Sequence, residues 1–112
     1  MPYEQHQEKP HTGTPQATFQ AVLAASARLG ASIVLSDPVQ GRLEARFPKT
    51  ILGRTLGERT YLTCEVRPEG AASRVVVDAY PLDAVERKLL FGARKGVTQA
   101  VVALFLETLD AV

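Results

Sequence analysis

Between Ser32 and Tyr80 the apolar side chains recur at alternate positions in four separate runs, and on either side of that stretch they recur at three-and-four spacing. A chain that changes period from helix to strand and back has few ways to bury its apolar residues in one core. The economical one is an α+β domain: an N-terminal helix, a four-stranded antiparallel meander and a C-terminal helix, with both helices on one face of the sheet. At 112 residues there is room for one such core and no second.

The first helix has a start and a stop. Thr14 supplies an N-cap oxygen and Pro15 stands at the first helical position, where its missing N–H costs nothing. Phe19, Val22, Leu23, Ser26 and Leu29 then share one face, and Gly30 ends the helix. Before it, residues 1–13 carry two prolines, a glycine and one large apolar side chain besides Met1, so they are expected to be a flexible tail to a domain spanning 14–112.

The strand runs are Ser32–Ser36, closed by the turn Asp37-Pro38-Val39-Gln40-Gly41, then Arg42–Phe47, Arg59–Arg67 and Arg74–Tyr80. Leu43, Ala45, Phe47, Leu62, Cys64, Val66, Val75, Val77 and Ala79 are expected inward. Arg42, Glu44, Arg46, Tyr61, Thr63, Glu65, Arg67, Arg74, Asp78 and Tyr80 are expected outward. The last two runs are joined by a short loop around Gly70 and predict an antiparallel hairpin. Leu82–Gly92 reads either as a short helix capped by Asp83 or as an irregular link. From Val97 to Leu109 a helix returns, with Val97, Val101, Leu104, Phe105 and Leu109 in one stripe. Val102 and Leu106 add apolar surface off its flank, more than one sheet contact needs, which predicts an interaction surface for a second copy or another protein.

Thirteen Lys and Arg against twelve Asp and Glu give a net charge of +1, with no long-range pull toward nucleic acid or an anionic membrane. No run is long and apolar enough to span a bilayer, and the N-terminus lacks the basic-then-apolar order of a signal peptide, so a cytoplasmic location is expected. One cysteine forms no internal disulfide, in keeping with that location.

Groups able to do chemistry are few. His6 and His11 fall in the expected tail, where neither a metal site nor a general base has fixed geometry. Cys64 falls on a core face and reads as a small hydrophobe. There is no G-x-S-x-G, H-E-x-x-H, C-x-x-C or Walker lysine, so no catalytic set, metal or cofactor is expected, and the balance falls against an enzyme.

Binding surfaces remain. The loop 49–59 holds two glycines with Lys49, Arg54 and Arg59, a candidate site for a small anion, although the same glycines suit a twisted connection between strands. Arg87, Lys88, Arg94 and Lys95 surround Leu89, Leu90 and Phe91, which are expected to turn into the core while the cations stay solvated. Tyr61 and Tyr80 among arginines resemble a stacking platform for single-stranded nucleic acid in kind only. Alternating acids make an ion-paired wet face the better reading, with dimerisation through it as a second. The sequence thus points to a non-catalytic, self-associating interaction module, with anion binding by the 49–59 loop and weak nucleic-acid binding by the sheet as alternatives.

Overall fold

The computed structural model describes residues 3–89 and 96–112. In chain order the elements are β1 (Gln5–His11), α1 (Pro15–Arg28), β2 (Ser32–Asp37), β3 (Arg42–Phe47), β4 (Thr50–Ile51), β5 (Arg54–Thr55), β6 (Arg59–Glu69), β7 (Ala72–Leu82) and α2 (Val97–Ala111). The main sheet is antiparallel with strand order β1-β7-β6-β3-β2, and β4 and β5 form a separate two-stranded hairpin. Both helices lie on one face, α1 against β6 and α2, and α2 against β7 and β1. The α+β class and the β2-β3-β6-β7 meander are those read from the alternation.

One expectation is corrected. The segment expected to be a flexible tail contains β1, a fifth strand whose residues pair with β7 from Gln5↔Ala79 to His11↔Ser73. Its sequence, QHQEKPH, has no large apolar side chain other than the proline ring, because an edge strand is held through its backbone and needs no buried face of its own. Pro10 is tolerated for the same reason, since an edge strand has one side on which an N–H is not required.

The local signals of α1 act as their chemistry requires. The Thr14 side chain accepts from the Ala17 N–H at 3.2 Å, and replacing it by alanine costs about 1 kcal/mol. At the other end Gly30 adopts φ +78°, and the N–H groups of Gly30 and Ala31 close on the carbonyls of Ala27 and Ser26 at 3.0 Å.

The inward set is buried as expected, and Phe19 and Val22 of α1 and Leu29 at its C-cap meet it together with Val101, Phe105 and Leu109 of α2. At its centre Phe47 and Phe105 pack edge-to-face, ring centroids 6.1 Å apart at 82°, a geometry worth about 0.5–1.5 kcal/mol beyond the area it buries. From Asp83 to Leu89 the chain is an irregular link whose turn is organised by the Asp83 carboxylate, which accepts from the N–H groups of Val85 and Arg87. The expectations for Leu90, Phe91, Gly92, Arg94 and Lys95 lie outside the described residues. Among the described residues no helix is long and apolar enough to cross a membrane.

Candidate functional site

The β4–β5 hairpin grows out of the 49–59 loop and stands over one flank of α2. Leu52 and Gly53 take positive φ at its tip, 51° and 77°, and bring Ile51 and Arg54 opposite each other. Facing the hairpin, α2 presents Ala100, Ala103, Leu104 and Glu107, which fall on one face at helical spacing. Two alanines leave room where larger side chains would close the gap. The result is a groove of about 220 Å³ lined by Ile51, Leu56 and these four helix residues, with Arg54 on one wall and Glu107 on the other.

The floor of the groove is apolar: Ile51 is buried, while Leu56 and Leu104 are half-buried against the core. Arg54 is exposed, and among the described residues it forms no ion pair. A cation at the mouth of an apolar groove suits a ligand with an anionic head and an apolar body.

The three cations expected to act together are not brought together. Lys49 and Arg59 line a different groove, with Gly57, Leu82, Asp83, Ala84 and Leu89, while Arg54 serves the groove beside α2. Arg59 is also engaged internally, donating to Glu86 Oε1 at 3.1 Å and to the carbonyls of Asp83 and Ala84 at 3.2 Å. The loop therefore offers Arg54 alone to the apolar groove. Sequence reasoning missed the other wall, Ala100, Ala103, Leu104 and Glu107; the available signal was a pair of small residues beside a large one on a helix otherwise rich in bulky side chains.

The apolar surplus of α2 is also relocated. Val102 is only 2% exposed and belongs to the core, and with Leu106, Gln99 and Ala103 it lines a groove of about 200 Å³ whose other wall is Gln5 and Gln7 of β1. Lys9 of β1 and Asp110 of α2 form an ion pair along the same seam. Val102 is thus buried, while Leu106 stays half-buried on a groove that the first strand walls on one side.

On the outer face Tyr61 and Tyr80, directly opposite on β6 and β7, stack on each other at 5.4 Å and 16°. The Tyr61 hydroxyl donates to Glu44; burial first, and that bond second, push the phenol up to about 12. Glu44 in turn is held below the usual carboxylate range by Tyr61 and Arg42. Arg42 bridges Glu44 and Glu65 at 3.0 Å each, and the Lys88 ammonium lies 5.0 Å from the Tyr80 ring centroid. Rings and charges on this face engage one another.

The nucleophile and base candidates are likewise engaged. Cys64 is sealed in the core, and burial above all pushes its thiol up to about 12, far from the thiolate a nucleophile needs. Both histidines sit on β1 instead of a loose tail. His6 faces outward between Asp78 and Glu8, at 2.6 and 3.1 Å. His11 Nδ1 accepts from the Gly13 N–H at 3.2 Å and lies 3.1 Å from the Thr18 hydroxyl, which itself meets Ser73 at 3.1 Å. This cluster ties the end of β1 to α1 and β7.

The same architecture is found in Ara h 8.0201. Its crystal structure superposes with a TM-score of 0.59 at 11% identity, over 97% of this chain and 96% of that one. TTHA0849 from Thermus thermophilus matches with a TM-score of 0.50 at 14% identity, over 96% of this chain and 94% of its own. At these identities the likeness is one of fold. No family model matches the chain, and no curated protein matches it.

Proposed function

We propose that this chain is a non-catalytic binding module that holds a small amphipathic anion, a carboxylate with an apolar tail, in the groove between the β4–β5 hairpin and α2. The observation that carries this reading is Arg54, a cation without an ion-pair partner among the described residues, beside an apolar floor of Ile51, Leu56 and Leu104. The groove is smaller than the roughly 300–1,000 Å³ of drug-sized sites, so the ligand is short and partly exposed, with a dissociation constant of about a millimolar. The non-catalytic part rests on the sealed Cys64 thiol and on histidines committed to the β1 seam.

The test is a titration with octanoate and with 1-octanol, followed by the amide and methyl NMR signals of the protein. Octanoate should move Ile51, Leu56, Ala100 and Leu104, and the alcohol should bind several-fold more weakly. Arg54→Ala should abolish that difference while leaving the tail's contacts in place. Signals that move elsewhere, or an equal response to acid and alcohol in the unaltered protein, would remove the proposal.

A further inference from the structure

The two edges of the sheet are guarded very differently. At the β1 edge the strand carries a proline, a lysine, a glutamate and two histidines, and its side chains are tied to Asp78, Arg74 and Asp110. At the other edge β2 reads Ser-Ile-Val-Leu-Ser-Asp, with no charge before its last residue. Ile33, Val34 and Leu35 are 44%, 45% and 40% exposed, three adjacent large apolar side chains on a strand with one side unpaired among the described strands. An unguarded apolar edge of this kind is a template for another strand.

The register of β2 on β3 says which strand fits. Ser32 lies opposite Arg46 and Ile33 opposite Ala45; Val34 is then skipped, and Leu35 lies opposite Glu44, Ser36 opposite Leu43 and Asp37 opposite Arg42. Ile33 and Ser36 therefore share the row of core-facing residues, while Ser32, Leu35 and Asp37 share the row of outward ones. If β2 meets itself antiparallel about a two-fold axis between Val34 and Leu35, Ser32 pairs with Asp37 of the second copy and Ile33 with its Ser36. All six residues are then paired, and inward and outward rows continue across the junction. Shifting the pairing by one residue either way sets inward positions against outward ones.

Charge favours the same arrangement. Asp37 of the second copy stands in the outward row beside Ser32, two strand spacings, about 10 Å, from Arg46. The Arg46 guanidinium pairs loosely with Glu86, at 3.7 Å through Nη1, and its Nε is buried without a hydrogen-bond partner among the described residues, so Nη2 and Nη1 are the groups left to feel Asp37 of the second copy. From this we infer that β2 is a self-recognition edge: two copies of the chain join β2 to β2 in an antiparallel, two-fold manner, making one continuous ten-stranded sheet.

Sedimentation equilibrium over micromolar to millimolar protein tests this, with distance measurement between spin labels attached at Val39→Cys as the second readout. Val39 is 93% exposed, and Cys64 is buried away from the label. The mass should rise from 12.1 kDa toward twice that value with concentration. Val34→Lys, at an exposed bulge position, should hold the chain monomeric with its circular dichroism and melting temperature unchanged, and Asp37→Asn, which keeps the Oδ1 that accepts from the Val39 and Gln40 N–H groups at 3.1 Å, should weaken the dimer several-fold. In the inferred register the labels lie nine strand positions apart, about 30 Å. A wild-type chain that stays at 12.1 kDa at millimolar concentration would overturn the inference, as would a dimer that survives Val34→Lys or one whose labels lie close together.

Discussion

His6 on β1 and Asp78 on β7 are joined Nδ1 to Oδ1 at 2.6 Å, directly across the first strand pair of the sheet. The Asp78 hydrogen bond, with help from Glu8, raises the His6 pKa above its ordinary value of 6.5. A histidine whose folded pKa is raised contributes stability that is complete below about 6.5 and is lost as pH rises through the folded value. Amide exchange along β1 should therefore quicken between mildly acidic and mildly alkaline pH, beyond the intrinsic rate change. In His6→Ala that extra quickening should vanish, and NMR titration of the imidazole should place its midpoint above 6.5. An ordinary midpoint would mean the pair does not hold in solution.

Deleting residues 1–11 should remove the β1 wall of the groove beside α2. The backbone pairing with β7 is lost, and any exposure gained by Val102 adds to the cost, up to about 1.5–3 kcal/mol for a valine fully uncovered. Urea unfolding should show a lower midpoint, and an apolar dye that ignores the full chain should bind the truncated one. A truncated chain as stable as the full one would mean that β1 is not part of the folded unit.

Gly41 and Gly53 separate two costs that a glycine can conceal. Both have positive φ, +68° and +77°, but a Cβ at Gly41 would stand 2.5 Å from the Val66 carbonyl oxygen, whereas one at Gly53 would meet nothing within 4 Å. Gly53→Ala should cost about 1–2 kcal/mol, from the left-handed backbone alone. Gly41→Ala should cost clearly more, since the strand must also part from Val66, whose N–H donates to the Gly41 carbonyl at 2.7 Å. Chemical denaturation of the two variants side by side measures the difference.

What could be read from the sequence follows from what holds each element. β3, β6 and β7 are half-buried strands, so burial writes an alternation into them; α1 announces itself through Thr14, Pro15 and Gly30. β1 is held by backbone bonds and surface ion pairs, which leave no apolar pattern, and Pro10 argued against a strand that an edge can tolerate. That miss touched the function as well: without β1 the groove that Leu106 lines has no second wall, and Val102, which is buried, looked like surface. The groove was half legible, because Arg54 stood out as a cation near two glycines, whereas its opposite wall required knowing that the hairpin folds over Ala100 and Ala103.

The most direct measurement of the binding account is the set of intermolecular NOEs between carbon-13-labelled octanoate and the methyl groups of the protein. The account predicts contacts from the tail to Ile51, Leu56 and Leu104, and a carboxylate signal that shifts on binding in the wild type but not in Arg54→Ala. Tail contacts to methyls outside the groove, or a carboxylate response unchanged by loss of Arg54, would contradict it.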